Sequence, residues 1–270
     1  MALFKHKLAK GLICITILAT NLTACKKVPV TGRRQLNLVP DFMIKELSFA
    51  QYDSVVKISR TLPVTDERTQ QVARVGSRIQ QAVEQYLQEK GMQKELKSFK
   101  WEYNTIDEPI VNAWCMPGGK VVVYTGLLPV TQTEEGLAVV MGHEIAHAIA
   151  RHGNERTSQG VLINMGGLVL QEALKEKKEQ TQLLFLGLYM VGSNLALALP
   201  NSRMQETEAD KLGLIFMHMA GYDIDAAVPF WQRMSALNQQ KTPEFLSTHP
   251  SNERRIRDLT ALITEIKGGR

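Results

Sequence analysis

His143-Glu144-Ile145-Ala146-His147 places two imidazoles four residues apart, with a carboxylate beside the first. The surrounding pattern predicts a helix from Glu134 to about Arg151. Four residues make roughly one helical turn, so both rings leave the same face and can share one metal ion. Glu144 can then take a proton from the water that such a metal activates. Leu137, Val139, Val140, Met141, Ile145 and Ile149 mark this helix as core. Two unrelated histidines and a glutamate inside it would be costly to bury without partners. The pentad therefore predicts zinc, one ion per chain, and hydrolytic chemistry.

A hydrolytic zinc site usually has three protein ligands and one open position. The extended metzincin motif would need Gly at 150 and His at 153, where this chain has Ala150 and Gly153. His152 is one residue off, on another face of the predicted helix, and reads as a surface histidine or a support behind the ligands. The third ligand must come from further along, and Ser202 to Asp210 is the best candidate segment. Glu206 and Asp210 are four apart and share a helical face, whereas Glu208 points elsewhere. A ligand carboxylate with a second carboxylate one turn later suits a histidine-rich site, since ligand imidazoles need an acceptor for their other N–H. A solvated charged face is the competing reading, and spacing alone leaves both open.

The elements that must position these residues follow from periodicity. Asp41 to Ser59 and Asp66 to Lys90 are predicted helices, the second closed by Gly91. Phe99 to Ile106, Val111 to Cys115 and Lys120 to Tyr124 are predicted strands, the last two joined by Met116-Pro117-Gly118-Gly119. Three more helices are predicted near 202–220, 225–238 and 251–267. The fold class is α+β, a mainly helical metallopeptidase domain with a small three-stranded sheet. Gly160 to Leu170 and Leu183 to Leu199 are apolar and Gly-containing, separated by a Glu/Lys/Gln stretch. They are expected to form a helical hairpin that is buried or covers the active site, with membrane contact or an oligomer surface as the other reading.

The N-terminus reads as a targeting segment. Lys5, Lys7 and Lys10 precede a short apolar run from Leu12 to Leu22, and Leu22-Thr23-Ala24-Cys25 resembles a bacterial lipobox. The expected organisation is a signal peptide over 1–24, a tether over 25–40 lipidated at Cys25, and one metallopeptidase domain over 41–270. The 270-residue chain has 32 basic and 27 acidic side chains. Residues 1–24 hold three of the lysines and no acid, so the remainder is close to neutral and makes no case for a nucleic-acid partner. With Cys25 acylated, Cys115 would have no partner within the mature chain, which excludes a disulfide framework.

Beyond the pentad, Ser202-Arg203-x-x-Glu206-x-Glu208-Ala209-Asp210-x-x-Gly213 resembles the HtpX-like and CAAX-prenyl-endopeptidase-type zinc metallopeptidases. Asn112-Ala113, Pro117-Gly118-Gly119 and Gly126-Leu127-Leu128 are similar to the family's edge strand, turn and entry to the catalytic helix. His249-Pro250 followed by Arg255 resembles its C-terminal motif. With the lipobox, the chain is most similar to the periplasmic lipoprotein members of the BepA/LoiP type. The resemblance implies a gluzincin endopeptidase with zinc on His143, His147 and Glu206, Asp210 behind them, and Glu144 as general base. It implies that Arg255 stabilises the oxyanion, that Asn112 and Ala113 receive substrate as an added strand, and that His249 can act as a regulatory fourth ligand. The implied role is quality control of misfolded or misassembled envelope proteins, from a lipid anchor at Cys25 in the outer membrane facing the periplasm. The alternative is a lipid-anchored assembly factor or holdase with little proteolytic activity; an assembly-machinery partner is conceivable in either case.

Overall fold

The computed structural model describes residues 25–28, 31–237, 243–250 and 253–268. The expected signal peptide over 1–24 lies outside the described residues, as does Ser251. The chain divides into two units, one holding the segment up to Asp41 with Asn154–Ala198, the other holding Phe42–Gly153 with Leu199–Arg270.

The second unit carries the chemistry. It begins with helix α1 (Asp41–Ile58) and helix α2 (Glu67–Glu89). Asp66 caps α2, its carboxylate accepting from the Arg68 backbone N–H at 2.9 Å. Val72, Val75, Ile79, Val83 and Leu87 bury one stripe of that helix at the spacing a 3.6-residue period requires.

The predicted three-stranded sheet follows as β3 (Glu102–Ile106), β4 (Ala113–Met116) and β5 (Lys120–Tyr124). Strand β5 is central, parallel to β3 and antiparallel to β4, with Ala113 opposite Val123 and Met116 opposite Lys120. Val121, Val122 and Val123 are all buried, because a central strand is covered on both faces. The sheet packs on α2 at Gly76, where a Cβ would lie 2.3 Å from the Tyr103 ring and the Tyr103 hydroxyl donates to the Gly76 carbonyl.

The pentad lies on helix α3 (Glu134–Ile149), capped by the Thr133 hydroxyl on the Gly136 N–H. Every residue from Gly136 to Ile149 is buried, so α3 is the axis of the unit. It ends two residues earlier than its pattern suggests. Arg151 is left-handed, with φ 58°, and helix α4 (His152–Leu174) restarts at once. After α5 (Glu179–Ser193) and a π-helical turn at Asn194–Ala198 comes α6 (Leu199–Met219), followed by α7 (Ala227–Leu237), the short α8 (Glu244–Thr248) and α9 (Glu253–Lys267).

Helices α3 and α6 cross at two glycines. A Cβ on Gly213 would lie 2.9 Å from the His143 backbone nitrogen, and one on Gly142 would lie 3.0 Å from the Gly213 carbonyl oxygen. Only glycine lets the two backbones approach this closely. The crossing sets Asp210 and Glu206, one and two turns earlier on α6, beside the pentad.

In the first unit, residues 25–40 hold a two-stranded hairpin where a tether is expected. Strand β1 (Cys25–Lys27) pairs antiparallel with β2 (Arg34–Leu36). Buried Glu155 takes a bidentate pair from Arg33, at 2.7 and 2.8 Å, and the Ser158 hydroxyl accepts from the Leu38 N–H. The hairpin of α4 and α5 is not buried as expected: Leu168, Val169, Leu183, Leu184 and Leu188 are all 60% or more exposed.

Candidate metal centre

His143, His147, Glu206 and His249 each direct one ligand atom toward a common point, all within 4.8 Å of one another. His143 Nε2 lies 3.0 Å from His147 Nε2 and 3.3 Å from Glu206 Oε2, and His147 Nε2 lies 3.2 Å from Glu206 Oε1. Two ligands held at about 2.0–2.1 Å from a tetrahedral zinc sit about 3.3 Å apart, so these spacings match a zinc shell.

The outer nitrogens decide which atoms face the centre. His143 Nδ1 donates to Asp210 Oδ1 at 2.9 Å, leaving Nε2 as the lone pair. His147 is held differently. Its Nδ1 lies 2.8 Å from His152 Nδ1, and His152 Nε2 lies 3.3 Å from Glu208 Oε2. Facing a carboxylate, His152 carries its proton on Nε2, so its Nδ1 accepts from His147 and the His147 Nε2 lone pair points inward. Both supports are buried, His152 completely.

Of the two readings the sequence left for His152, surface residue or support behind the ligands, the structure has the second, and Glu208, off the face shared by Glu206 and Asp210, backs it. The break at Arg151 turns His152 back under His147. Nothing in the residue types announced that left-handed position.

Glu206 and Asp210 do share a face of α6, as their spacing implies, and Asp210 stands behind His143. Burial opposes a charge on His143, but Asp210 and Glu206 outweigh it and raise the imidazole to about 9 in the absence of a cation. Burial keeps His147 neutral, well below the usual histidine range. Glu206 is held far below the usual carboxylate range: burial opposes this, but His143, His147 and His249 prevail. Two carboxylates and converging imidazole lone pairs in a buried pocket call for a cation. The donor set, nitrogen and carboxylate oxygen, fits zinc.

Arg255, the expected oxyanion donor, stands beside the centre and engages its carboxylates. Its Nε and Nη2 grip Asp210 at 2.8 and 2.7 Å, and Nη1 reaches the Pro250 carbonyl and lies 3.3 Å from Glu206 Oε2. The guanidinium also stacks over Trp231, 3.6 Å from the ring centroid. Arg255 thus holds the carboxylates that hold the metal ligands, which makes it a positioning residue. It lowers the Asp210 carboxyl against the opposing effect of burial, with help from His143.

Glu144 stands close to His249 and to the edge strand. Glu144 Oε1 is buried, accepts no hydrogen bond and stands 3.3 Å from His249 Nε2. His249 closes the C-terminus of α8, with its Nδ1 3.0 Å from Glu206 Oε2 and its ring against Phe245. Among the described residues strand β4 pairs only with β5, so its other edge is unpaired within the sheet. Asn112 precedes β4, donating to Glu244 and accepting from the Ala113 N–H. The Cys115 thiol on β4 is pushed up by burial and by the Glu144 charge, which sets this strand alongside Glu144.

The model of "Peptidase family M48" matches residues 73–263, a span that runs from α2 to α9 and includes every residue of the centre. The chain belongs to peptidase family M48. It is a zinc metalloendopeptidase, and zinc is the cation the centre is built for.

The mitochondrial metalloendopeptidase OMA1 of Schizosaccharomyces pombe is 35% identical over 247 residues, 90% of this chain and 68% of that protein. The human mitochondrial metalloendopeptidase OMA1 is 28% identical over 94% of this chain and 48% of its own length. A putative beta-barrel assembly-enhancing protease of Vibrio cholerae is 32% identical over 156 residues, 55% of this chain and 31% of its own. The chain thus spans half or less of the latter two relatives.

These comparisons correct the expected location. The expected outer-membrane lipoprotein facing the periplasm rests on the lipobox-like Leu22-Thr23-Ala24-Cys25 and the resemblance to periplasmic lipoproteins. The relatives matched over nine-tenths of the chain are mitochondrial enzymes and overturn that placement.

Proposed function

We propose that this endopeptidase serves protein quality control, cutting misfolded or misassembled proteins that present an extended segment to β4. The unpaired edge of β4 beside Glu144 carries this reading. A client segment that adds to this edge pairs through its main chain, which reads little sequence. A folded protein keeps its strands paired internally and offers no such segment. The beta-barrel assembly-enhancing relatives carry a name that fits clients with unpaired strands.

Held by His143, His147 and Glu206, zinc supplies Lewis acidity toward a water and the scissile carbonyl. Glu144 takes the proton of the attacking water and passes it to the leaving amine. Asp210 and the His152–Glu208 pair fix the tautomers of the two histidine ligands, while Arg255 keeps both α6 carboxylates in place. Phe245 and Trp231 flank His143, with ring centroids 6.4 and 6.1 Å away, and limit water around the ligands.

His249 is the regulatory element of this reading. Its Nδ1 stands among the ligand atoms and its Nε2 faces Glu144, so it fills the space that the attacking water needs. The resting enzyme is latched, and a client that displaces His249 opens it.

The test is cleavage of one protein in native and in reduced, carboxymethylated form. The account expects cleavage of the unfolded form only. Equal cleavage of both would refute the quality-control reading, and binding of the unfolded form without cleavage would favour a holdase.

A further inference from the structure

The short helix that brings His249 to the centre also sits on the strand edge. In an antiparallel pair, alternate residues turn their main-chain groups toward the partner strand and away from it. Asn112 turns toward β5, its carbonyl accepting from the Tyr124 N–H at 3.1 Å. Val111, Ala113 and Cys115 therefore turn theirs to the opposite edge, the one a client strand would use. Two of these groups are already taken, both at the Val111 end. The Val111 carbonyl accepts from the Phe245 N–H at 3.2 Å, and the Ala113 N–H donates to the Asn112 carboxamide oxygen at 2.9 Å. The amide nitrogen of the same side chain donates to Glu244 at 3.0 Å.

Phe245 joins this edge to the latch. Its N–H is on Val111, its carbonyl accepts from the His249 N–H at 2.9 Å, and its ring lies 4.6 Å from the imidazole, centroid to centroid. Glu244, Phe245 and His249 belong to one short helical turn and move as one piece. Further along the edge, the Ala113 carbonyl and the Cys115 N–H take no such bond among the described residues. Cys115, beside Glu144, is four residues from Val111, about 13 Å at the strand rise. The edge thus has one stretch open to a client and one stretch held by α8.

We propose that the latch selects clients by length: it opens only for an extended segment that runs from Cys115 past Ala113 and takes the Val111 carbonyl from Phe245. The inference rests on the strand-addition reading above and names the property by which clients are chosen. A short segment pairs with the Ala113 carbonyl and the Cys115 N–H and leaves α8 seated. A longer one supplies an N–H to Val111 and a carbonyl to the Ala113 N–H. Those two bonds replace the ones that α8 and Asn112 make, and α8 leaves, drawing His249 away from Glu144 and Glu206. Glu244, through its bond to Asn112, helps to set the threshold.

The experiment uses the full zinc-loaded chain and unstructured peptides that share one cleavable centre, about four and about ten residues long, or about 13 and 33 Å extended. A third peptide is the long one with the backbone N–H groups outside its centre methylated. In the wild type, kcat/KM should be at least about tenfold higher for the long peptide than for the other two, since only it regains the displaced hydrogen bonds. Glu244→Ala should raise cleavage of the short peptide about 3–10-fold, the factor that one net hydrogen bond represents, while Glu244→Gln, which keeps an acceptor for Asn112, matches the wild type. Zinc content and Tm equal to wild type show that both variants are folded. A second readout needs no cleavage: in cobalt-loaded Glu144→Gln, the visible spectrum should change when the long peptide binds and not when the short or methylated one does. No change with the long peptide, or the same change with all three, overturns the proposal. A length preference that Glu244→Ala leaves intact also overturns it, because length would then act through added contacts rather than through α8. Such a failure leaves the quality-control reading standing, since that reading is tested on one protein in native and unfolded form.

Discussion

Each ligand histidine is fixed by its own partner, and the two partners differ in kind. His143 is backed by Asp210, itself locked by Arg255, whereas His147 is backed by His152 and Glu208. Losing such a support costs about 10–100-fold in metal affinity, while losing a ligand costs more. Titration with a zinc chelator should therefore rank Glu206→Gln below Glu208→Gln, and both below wild type, with His152→Ala close to Glu208→Gln. Wild-type affinity in His152→Ala would remove the pair from the centre. His249→Ala should raise proteolysis or self-cleavage with zinc retained, because the latch is gone. Reduced activity at full zinc occupancy would instead make His249 a substrate-binding residue. The pentad and Glu206 were legible because residue type and helical spacing alone bring them together. Arg255 was legible as a member of the site but its grip on Asp210 was not, since which carboxylate a guanidinium holds depends on packing across three helices.

At the scale of elements, the glycine crossing of α3 and α6 does most to assemble the site. Gly213→Ala sets a Cβ 2.9 Å from the His143 main chain, which cannot move aside as a flexible side chain would. Overpacking of this kind costs about 1–3 kcal/mol, and here it separates Glu206 from the histidines. The variant should show a lowered Tm and weakened zinc binding together. Unchanged zinc affinity would mean that the helices re-pack without moving the ligands. The helices, the three strands and their order along the chain were readable from periodicity, because burying one face imposes a period. The stop of α3 was not: Ala150 and Arg151 are good helix formers, and the left-handed turn at Arg151 is set by the structure around it. The exposure of the α4–α5 hairpin was equally hidden, since an apolar helix reads the same whether protein or lipid covers it.

For the whole molecule, the metal is part of the fold as well as of the chemistry. Chelation leaves buried carboxylates and converging imidazoles without their cation, so it should abolish cleavage and lower Tm, with both restored by zinc. A Tm indifferent to chelation would mean that Asp210–Arg255 and the aromatic packing hold α3, α6 and α9 together unaided. Location was the property least available from local sequence, because the N-terminal reading assumed a bacterial outer membrane, whereas the relatives matched over nine-tenths of the chain are mitochondrial enzymes. The measurement that bears most directly on the central claim is zinc content together with cleavage of an unfolded protein, for wild type and Glu144→Gln side by side. The account predicts one zinc per chain in both, with cleavage reduced about 10²–10⁴-fold in the variant, the range expected for a lost general base. Equal cleavage by the two would contradict it, because the proton would then be taken by some group other than Glu144.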